Sequence, residues 1–166
     1  MDFQRQTNRR LYEEHAASVQ LLARLESVVT GRAGAFPPAA GESAWPAFAR
    51  TLLTAIEVEV ARHFEFEERD LFPRLEEAGD GDLVALLNEE HETIRAVAAP
   101  LAALTRQSLG EGLQPQQWQS LKTLALEFSE RLSSHAQKED GALLPVLDNL
   151  LDEDTDRELF GAYAAG

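Results

Sequence analysis

The segment HFEFEERDLFP at residues 63–73 recurs in altered form as HAQKEDGALLP at residues 135–145. In both copies a glutamate follows the histidine by four residues, a leucine follows the glutamate by four, and an apolar residue and a proline come next. Apolar residues also precede each histidine at intervals of three or four, the spacing of one face of an α-helix. We therefore predict two related helices, each with a His/Glu pair on its buried face.

Two further helical stretches carry one histidine each. Both read Glu-Glu-His, at residues 13–15 and 89–91, with a leucine four residues before the histidine. The chain is interpreted as two helical hairpins, residues 1–79 and 80–166, related by a pseudo-twofold axis. Because 166 residues are enough to bury one core, we expect a single domain over residues 1–166.

Capping and helix-breaking residues set the predicted boundaries. We expect helices over residues 7–29, from Ser43 to 78, from 83 to Gly110, from Gln114 to Pro145 and over 155–164, with a surface loop over 31–41. Pro73 predicts a kink in the second helix, and Pro100 predicts a bend in the third. With no useful β-alternation, the predicted fold class is all-α: an up-down-up-down antiparallel four-helix bundle with a short C-terminal fifth helix.

Composition narrows the range of functions. Fifteen Lys and Arg stand against 29 Asp and Glu, and the formal charge of −14 disfavours nucleic acid and anionic membranes as partners. The chain starts without the apolar run of a secretory signal, and it has no stretch of the roughly 18 apolar residues that cross a bilayer. We therefore expect a soluble, cytoplasmic protein. Cysteine is absent, which leaves histidine and carboxylate as the strong metal ligands.

The repeated His/Glu pairs predict a two-metal site. Residues four apart lie on one helix face, and ionised glutamates persist in an apolar interior only if they are paired or bound to metal. We predict one ion held by the two histidines of the first hairpin and one by those of the second, with both glutamates bridging. The predicted ligands are His15, His63, Glu67, His91, His135 and Glu139. Imidazole with carboxylate suits iron, and each ion would keep an exchangeable position.

Each of these residues also has a simpler interpretation, as an ordinary surface or core residue. A lone helical histidine is usually a surface or core residue, but four of them, one per helix, with two pairs in register, favour the metal site. Tyr12 fits a packed or surface residue better than a neighbour of the metal ligands. Glu59 fits a solvated residue or a neighbour of the ligands rather than a ligand. The zinc-protease pattern fails at Arg95, and the ferritin-like pattern fails because no glutamate lies three residues before a histidine.

With these residues, the sequence resembles the hemerythrin-like, or HHE cation-binding, family. The resemblance rests on the four histidines, on Glu67 within HFEFE and on Glu139 within HAQKE, and it covers nearly the whole chain. It implies a four-helix bundle around two non-haem iron ions with an oxo or hydroxo bridge. Members of the family carry or sense oxygen, bind nitric oxide, or handle iron.

The sequence departs from the oxygen-carrying hemerythrins at two positions. Their third helix supplies a second histidine where this chain has Arg95, and their last carboxylate follows its histidine by five residues, whereas Glu139 follows His135 by four. The first hypothesis is a non-enzymatic di-iron protein that binds oxygen, nitric oxide or peroxide for carriage, sensing or iron handling. The alternative is a di-iron enzyme that decomposes peroxide or reduces nitric oxide. The third hypothesis is a purely structural metal site, with no coordination position open to a small molecule.

Overall fold

The computed structural model describes residues 2–31 and 44–165, and this part of the chain is helical, without a strand. The predicted loop beyond Gly31 and the predicted helix start at Ser43 lie outside these ranges. Five helices are described: α1, Gln6–Thr30; α2, made of Ala44–Thr54, Ala55–Val60, Ala61–Phe66, Glu67–Leu71 and Phe72–Ala78; α3, Gly81–Gly110; α4, made of Pro115–Lys138, Glu139–Leu143 and Leu144–Leu150; and α5, Glu153–Ala165.

The two prolines of the repeat are accommodated by wider helical turns. Glu67–Leu71 in α2 and Glu139–Leu143 in α4 are π-helical, and each precedes a proline, Pro73 or Pro145. A proline has no N–H to donate within the helix, and a π turn changes the hydrogen-bond register ahead of it. The interruption predicted at Pro73 therefore takes the form of a π turn, and α3 continues through Pro100. Helix α2 ends at Ala78 and is capped by Gly79, whose φ of 103° lies in the left-handed region.

The helices form a bundle in which α4 packs against α1 and α3, α2 packs against α3, and α5 packs against α1. Apolar side chains collect in two clusters. The larger cluster includes Phe48, Leu101 and Trp118, and the smaller one includes Phe72 and Leu147. Along each of the first four helices, the histidine lies between residues of one cluster and residues of the other. The histidines and the two glutamates thus form a polar layer between two apolar cores.

Helix α5 is attached to the start of α1. The carboxylate of Asp156 accepts hydrogen bonds from the backbone N–H groups of Gln6, at 2.8 Å, and Thr7, at 2.9 Å. Burial alone raises the pKa of Asp156, but these backbone hydrogen bonds outweigh it and lower the pKa below its ordinary value. Asp156 therefore caps the N-terminus of α1 from a distant part of the chain. Among the described residues, no helix is both long and apolar enough to cross a membrane.

Candidate metal centre

The polar layer contains two groups of potential metal ligands. The first group consists of His15, His63, Glu67 and Glu139, and the second of His91, His135 and the same two glutamates. Within each group the ligand atoms lie within 4.8 Å of one another, and all six residues are buried. The structure therefore brings together all six residues that the sequence predicted as ligands, in the two histidine pairs that were predicted.

Each of the two glutamates directs one oxygen to each group. Glu67 Oε1 lies 3.1 Å from His63 Nε2, and Glu67 Oε2 lies 3.3 Å from His91 Nε2. Glu139 Oε2 lies 3.1 Å from His15 Nε2, and Glu139 Oε1 lies 3.0 Å from His135 Nε2. Each of the two carboxylates thus faces both pairs of histidines. This is the arrangement that two ions bridged by carboxylates require.

Four outer carboxylates contact the opposite nitrogen of each imidazole. The pairs are His15 Nδ1 with Asp140 Oδ1 at 2.6 Å, His63 Nδ1 with Glu14 Oε2 at 3.0 Å, His91 Nδ1 with Glu68 Oε1 at 2.6 Å, and His135 Nδ1 with Glu90 Oε2 at 2.9 Å. A carboxylate accepts hydrogen bonds, so we assign the hydrogen to Nδ1 in each ring. Every Nε2 then faces the polar layer, where it can donate its lone pair to a metal once it is deprotonated, as in histidine metal sites.

These outer carboxylates were missed in the sequence analysis, although they obey the same pseudo-symmetry. Glu14 and Glu90 are the residues directly before His15 and His91, within the two Glu-Glu-His triplets. The other two, Glu68 and Asp140, directly follow the two buried glutamates. The acidic residues repeated at equivalent positions next to the proposed ligands could have indicated these outer carboxylates.

The layer needs positive charge at its centre. The Nε2 atoms of His15 and His63 are 3.1 Å apart, and those of His91 and His135 are 3.0 Å apart. Among the described residues, the four oxygens of Glu67 and Glu139 contact imidazole Nε2 atoms, the nearest at 3.0–3.3 Å, and have no other polar partner. Lone pairs and carboxylates this close repel one another unless protons or cations lie between them. A cation bound by each nitrogen pair, or a proton shared within it, would relieve this repulsion.

The pKa values of the histidines and of Glu139 also indicate that the polar layer requires positive charge. Burial alone lowers the pKa of His15 and His91, but hydrogen bonds to neighbouring carboxylates outweigh it and raise both to about 9. Burial raises the pKa of Glu139, but the surrounding histidines lower it well below its ordinary range. Without metal, protons on Nε2 therefore supply the charge, and a cation that binds must displace them.

Three other residues considered in the sequence analysis lie outside the polar layer. The ring of Tyr12 packs edge-on against Phe3, with centroids 5.8 Å apart. Glu59 is exposed and lines a cavity beside the layer. Arg95 donates to Glu68 Oε1 at 2.8 Å, so it contacts the ligand set only through that carboxylate.

The cavity makes the two ligand groups unequal. It has a volume of about 260 Å³ and is lined by both histidines of the first group, whereas the second group contributes only His135. Glu139, Phe64 and Ala136 also line it. Phe64 and Ala136 occupy equivalent positions in the repeat, each directly after a histidine. The Phe64 ring stacks on His91, with centroids 3.7 Å apart, and covers this histidine, whereas Ala136 leaves space beside His15 and His63.

The helical bundle and its buried His/Glu layer define a cation-binding protein. A family model described as the hemerythrin HHE cation binding domain matches residues 6–154, and the chain belongs to this family. The match covers α1 to α4 and reaches only the first residues of α5. A comparison with curated proteins found no match to the chain.

Proposed function

We propose that the protein binds two non-haem iron ions and takes up oxygen, nitric oxide or peroxide beside them, for carriage, sensing or iron handling. The observation that carries the proposal is that two groups of ligand atoms share the same two buried carboxylates. Among the described residues, the oxygens of these carboxylates have no polar partner other than the imidazole Nε2 atoms. One ion would be held by His15 and His63 and the other by His91 and His135. Glu67 and Glu139 would bridge them.

The ligand chemistry supports iron. Imidazole nitrogen with carboxylate oxygen suits iron, and the layer offers four nitrogens and four carboxylate oxygens for two ions. Such a pair of ions would supply redox-active positions at which a diatomic molecule can bind. The histidines hold these positions between apolar clusters, and the outer carboxylates keep the Nδ1 protons in place. The protein's contribution is thus a ligand set whose orientation is fixed by these contacts.

The cavity supports reversible binding of a small molecule at one position. It reaches the group of His15 and His63, and its volume of about 260 Å³ exceeds what a diatomic molecule needs. Phe64 covers His91, the one histidine of the layer that does not line the cavity. A purely structural site would not require a cavity beside one pair of histidines. The enzyme alternative lacks comparable support, because Arg95 is bound to Glu68 and Tyr12 packs against Phe3.

We also infer that the chain is one domain with an up-down-up-down antiparallel arrangement of α1 to α4. The short connections between α2 and α3 and between α3 and α4 support antiparallel neighbours. The matching π turns of α2 and α4, each beginning at a glutamate of the layer, support two related hairpins over residues 1–79 and 80–166.

Metal analysis combined with spectroscopy tests the function. We expect two irons per chain in protein produced with sufficient iron, and a change in the absorption spectrum when the reduced protein meets oxygen or nitric oxide. Azide should perturb the oxidised spectrum. Two irons with no response to oxygen, nitric oxide or azide would support a closed structural site instead. Sustained consumption of peroxide or nitric oxide would favour the enzyme.

A further inference from the structure

Helix α5 extends one side chain to the surroundings of the candidate metal centre. Tyr163 donates its hydroxyl hydrogen to Glu14 Oε2 at 2.6 Å, and the same oxygen accepts the Nδ1 hydrogen of His63 at 3.0 Å. A hydrogen-bonded path thus runs from Tyr163 through Glu14 to a proposed metal ligand. Tyr163 is only 6% exposed.

The position of Tyr163 is held from two sides. Its ring stacks on Phe66, with centroids 4.3 Å apart, and the guanidinium carbon of Arg62 lies 4.7 Å from its ring centre. Leu159, one turn earlier in α5, is buried in the smaller apolar cluster. These contacts therefore fix the position of the phenol ring, and its hydroxyl hydrogen-bonds to Glu14.

The second half of the bundle has a different arrangement. Glu90 is the counterpart of Glu14 and accepts from His135 and from the exposed ammonium of Lys138. Glu14 likewise accepts from cations, Arg10 and Arg62, on Oε1, and of these two carboxylates only Glu14 also accepts from a tyrosine in the described part of the chain. Tyr163 also lies beyond residue 154, where the match to the family model ends. The contact from Tyr163 thus distinguishes the His63 side of the centre, and it is carried by a part of the chain outside the family's shared region.

A carboxylate that accepts two hydrogen bonds on one oxygen accepts each of them less strongly. The hydroxyl of Tyr163 therefore limits how strongly Glu14 withdraws the Nδ1 hydrogen of His63, and so limits the donor strength of His63 Nε2. We propose that Tyr163 is a positioning residue of the metal centre, which acts through Glu14 to raise the reduction potential of the ion beside His63. This inference rests on the proposed function, since it requires a redox-active metal at the layer.

Two substitutions should shift the potential in opposite directions. Tyr163→Phe keeps the ring and removes the hydroxyl, so Glu14 should withdraw the His63 hydrogen more strongly, and the midpoint potential of the iron-loaded protein should fall. Glu14→Gln removes the negative charge, so the potential should rise. If the substitutions only loosened the site, the midpoint potentials of both variants would shift in the same direction.

The measurement is redox titration of the iron-loaded full chain, with metal content determined on the same samples. Tyr12→Phe is the matched control, because Tyr12 is the chain's other tyrosine and packs against Phe3. Its potential should equal that of the unmodified protein. An unchanged potential in Tyr163→Phe, or a rise as in Glu14→Gln, would overturn the inference alone. Absence of two irons from the unmodified protein would overturn the proposed function together with it.

A second approach leaves α5 packing almost unchanged. Fluorotyrosine incorporated into the Tyr12→Phe protein replaces Tyr163 only, since the chain has two tyrosines. A fluorinated phenol is a stronger hydrogen-bond donor, so the potential should rise relative to the same protein with ordinary tyrosine. A fall or no change would contradict the inference.

Discussion

The ring of Phe64 stacks on the imidazole of His91, with centroids 3.7 Å apart and planes inclined by 10°. Phe72 covers the same imidazole at 5.5 Å, and His91 is fully buried. The equivalent of Phe64 in the other half of the repeat is Ala136, which lines the cavity beside His15 and His63. This difference between the two hairpins thus leaves His91 covered, while the other three histidines line the cavity.

Filling the cavity should block small molecules without removing the ligands. We expect Ala136→Phe to retain two irons and to weaken azide binding to the oxidised protein by at least about tenfold, a loss of about 1.4 kcal/mol. Azide titration followed by absorption would measure this. Ala85→Phe, at an exposed position of α3, is the control and should bind azide normally. Unchanged azide affinity in Ala136→Phe would exclude this cavity as the route.

Loss of one predicted ligand should lower metal content. In His63→Ala, one group loses a nitrogen and Glu14 loses a hydrogen-bond donor, so we expect less iron per chain and a smaller rise in melting temperature on metal binding. Glu65→Ala is the matched control, because Glu65 lies two residues away on the same helix with 71% of its side chain exposed. Equal iron content in the two variants would argue against the assignment of His63.

The metal-free protein should lose stability at alkaline pH. His15 and His91 have pKa values of about 9 in the folded state, above the ordinary value of 6.5, so folding favours their protonated forms. Their contribution is fully present below pH 6.5 and is lost as the pH rises through about 9. Denaturant unfolding at pH 6.5 and 9.5 would measure the difference. Metal-loaded protein should lack this loss, since the cation replaces the protons.

Metal binding should accordingly release protons near neutral pH. Calorimetric titration of the metal-free protein with Zn²⁺, a redox-inert probe, should give a binding enthalpy that varies with the ionisation enthalpy of the buffer. His15→Ala should release fewer protons than the unmodified chain, because one histidine with a raised pKa is gone. An enthalpy that is independent of the buffer would contradict the exchange of protons for metal.

The cap between α5 and α1 should contribute to stability but not to metal binding. Asp156→Ala removes the acceptor for the N–H groups of Gln6 and Thr7, and we expect a loss of about 0.5–2 kcal/mol in the free energy of unfolding. Asp154→Ala, at an exposed residue of the same helix, should lose less. Iron content should stay at the unmodified level in both variants. A similar loss in both would show that the cap contributes little.

Much of the layer could be predicted because it depends on local periodicity. His63 and Glu67 lie on one helix face by their spacing alone, and the repeat at residues 135–145 identified the second pair. The outer carboxylates depend instead on how helices face one another, as with Asp140 and His15, which are 125 residues apart. The contact of Tyr163 with Glu14 has the same origin. Sequence spacing does not encode these contacts, because they depend on helix rotation and packing.

We propose that two cations neutralise the carboxylates of Glu67 and Glu139 between four imidazoles. A crystal of iron-loaded protein measured on both sides of the iron absorption edge tests it most directly. The account predicts two anomalous peaks about 3.5–4 Å apart, one beside the Nε2 atoms of His15 and His63 and the other beside those of His91 and His135. A layer without anomalous signal in iron-replete protein, or with the imidazoles turned away from the peaks, would contradict it.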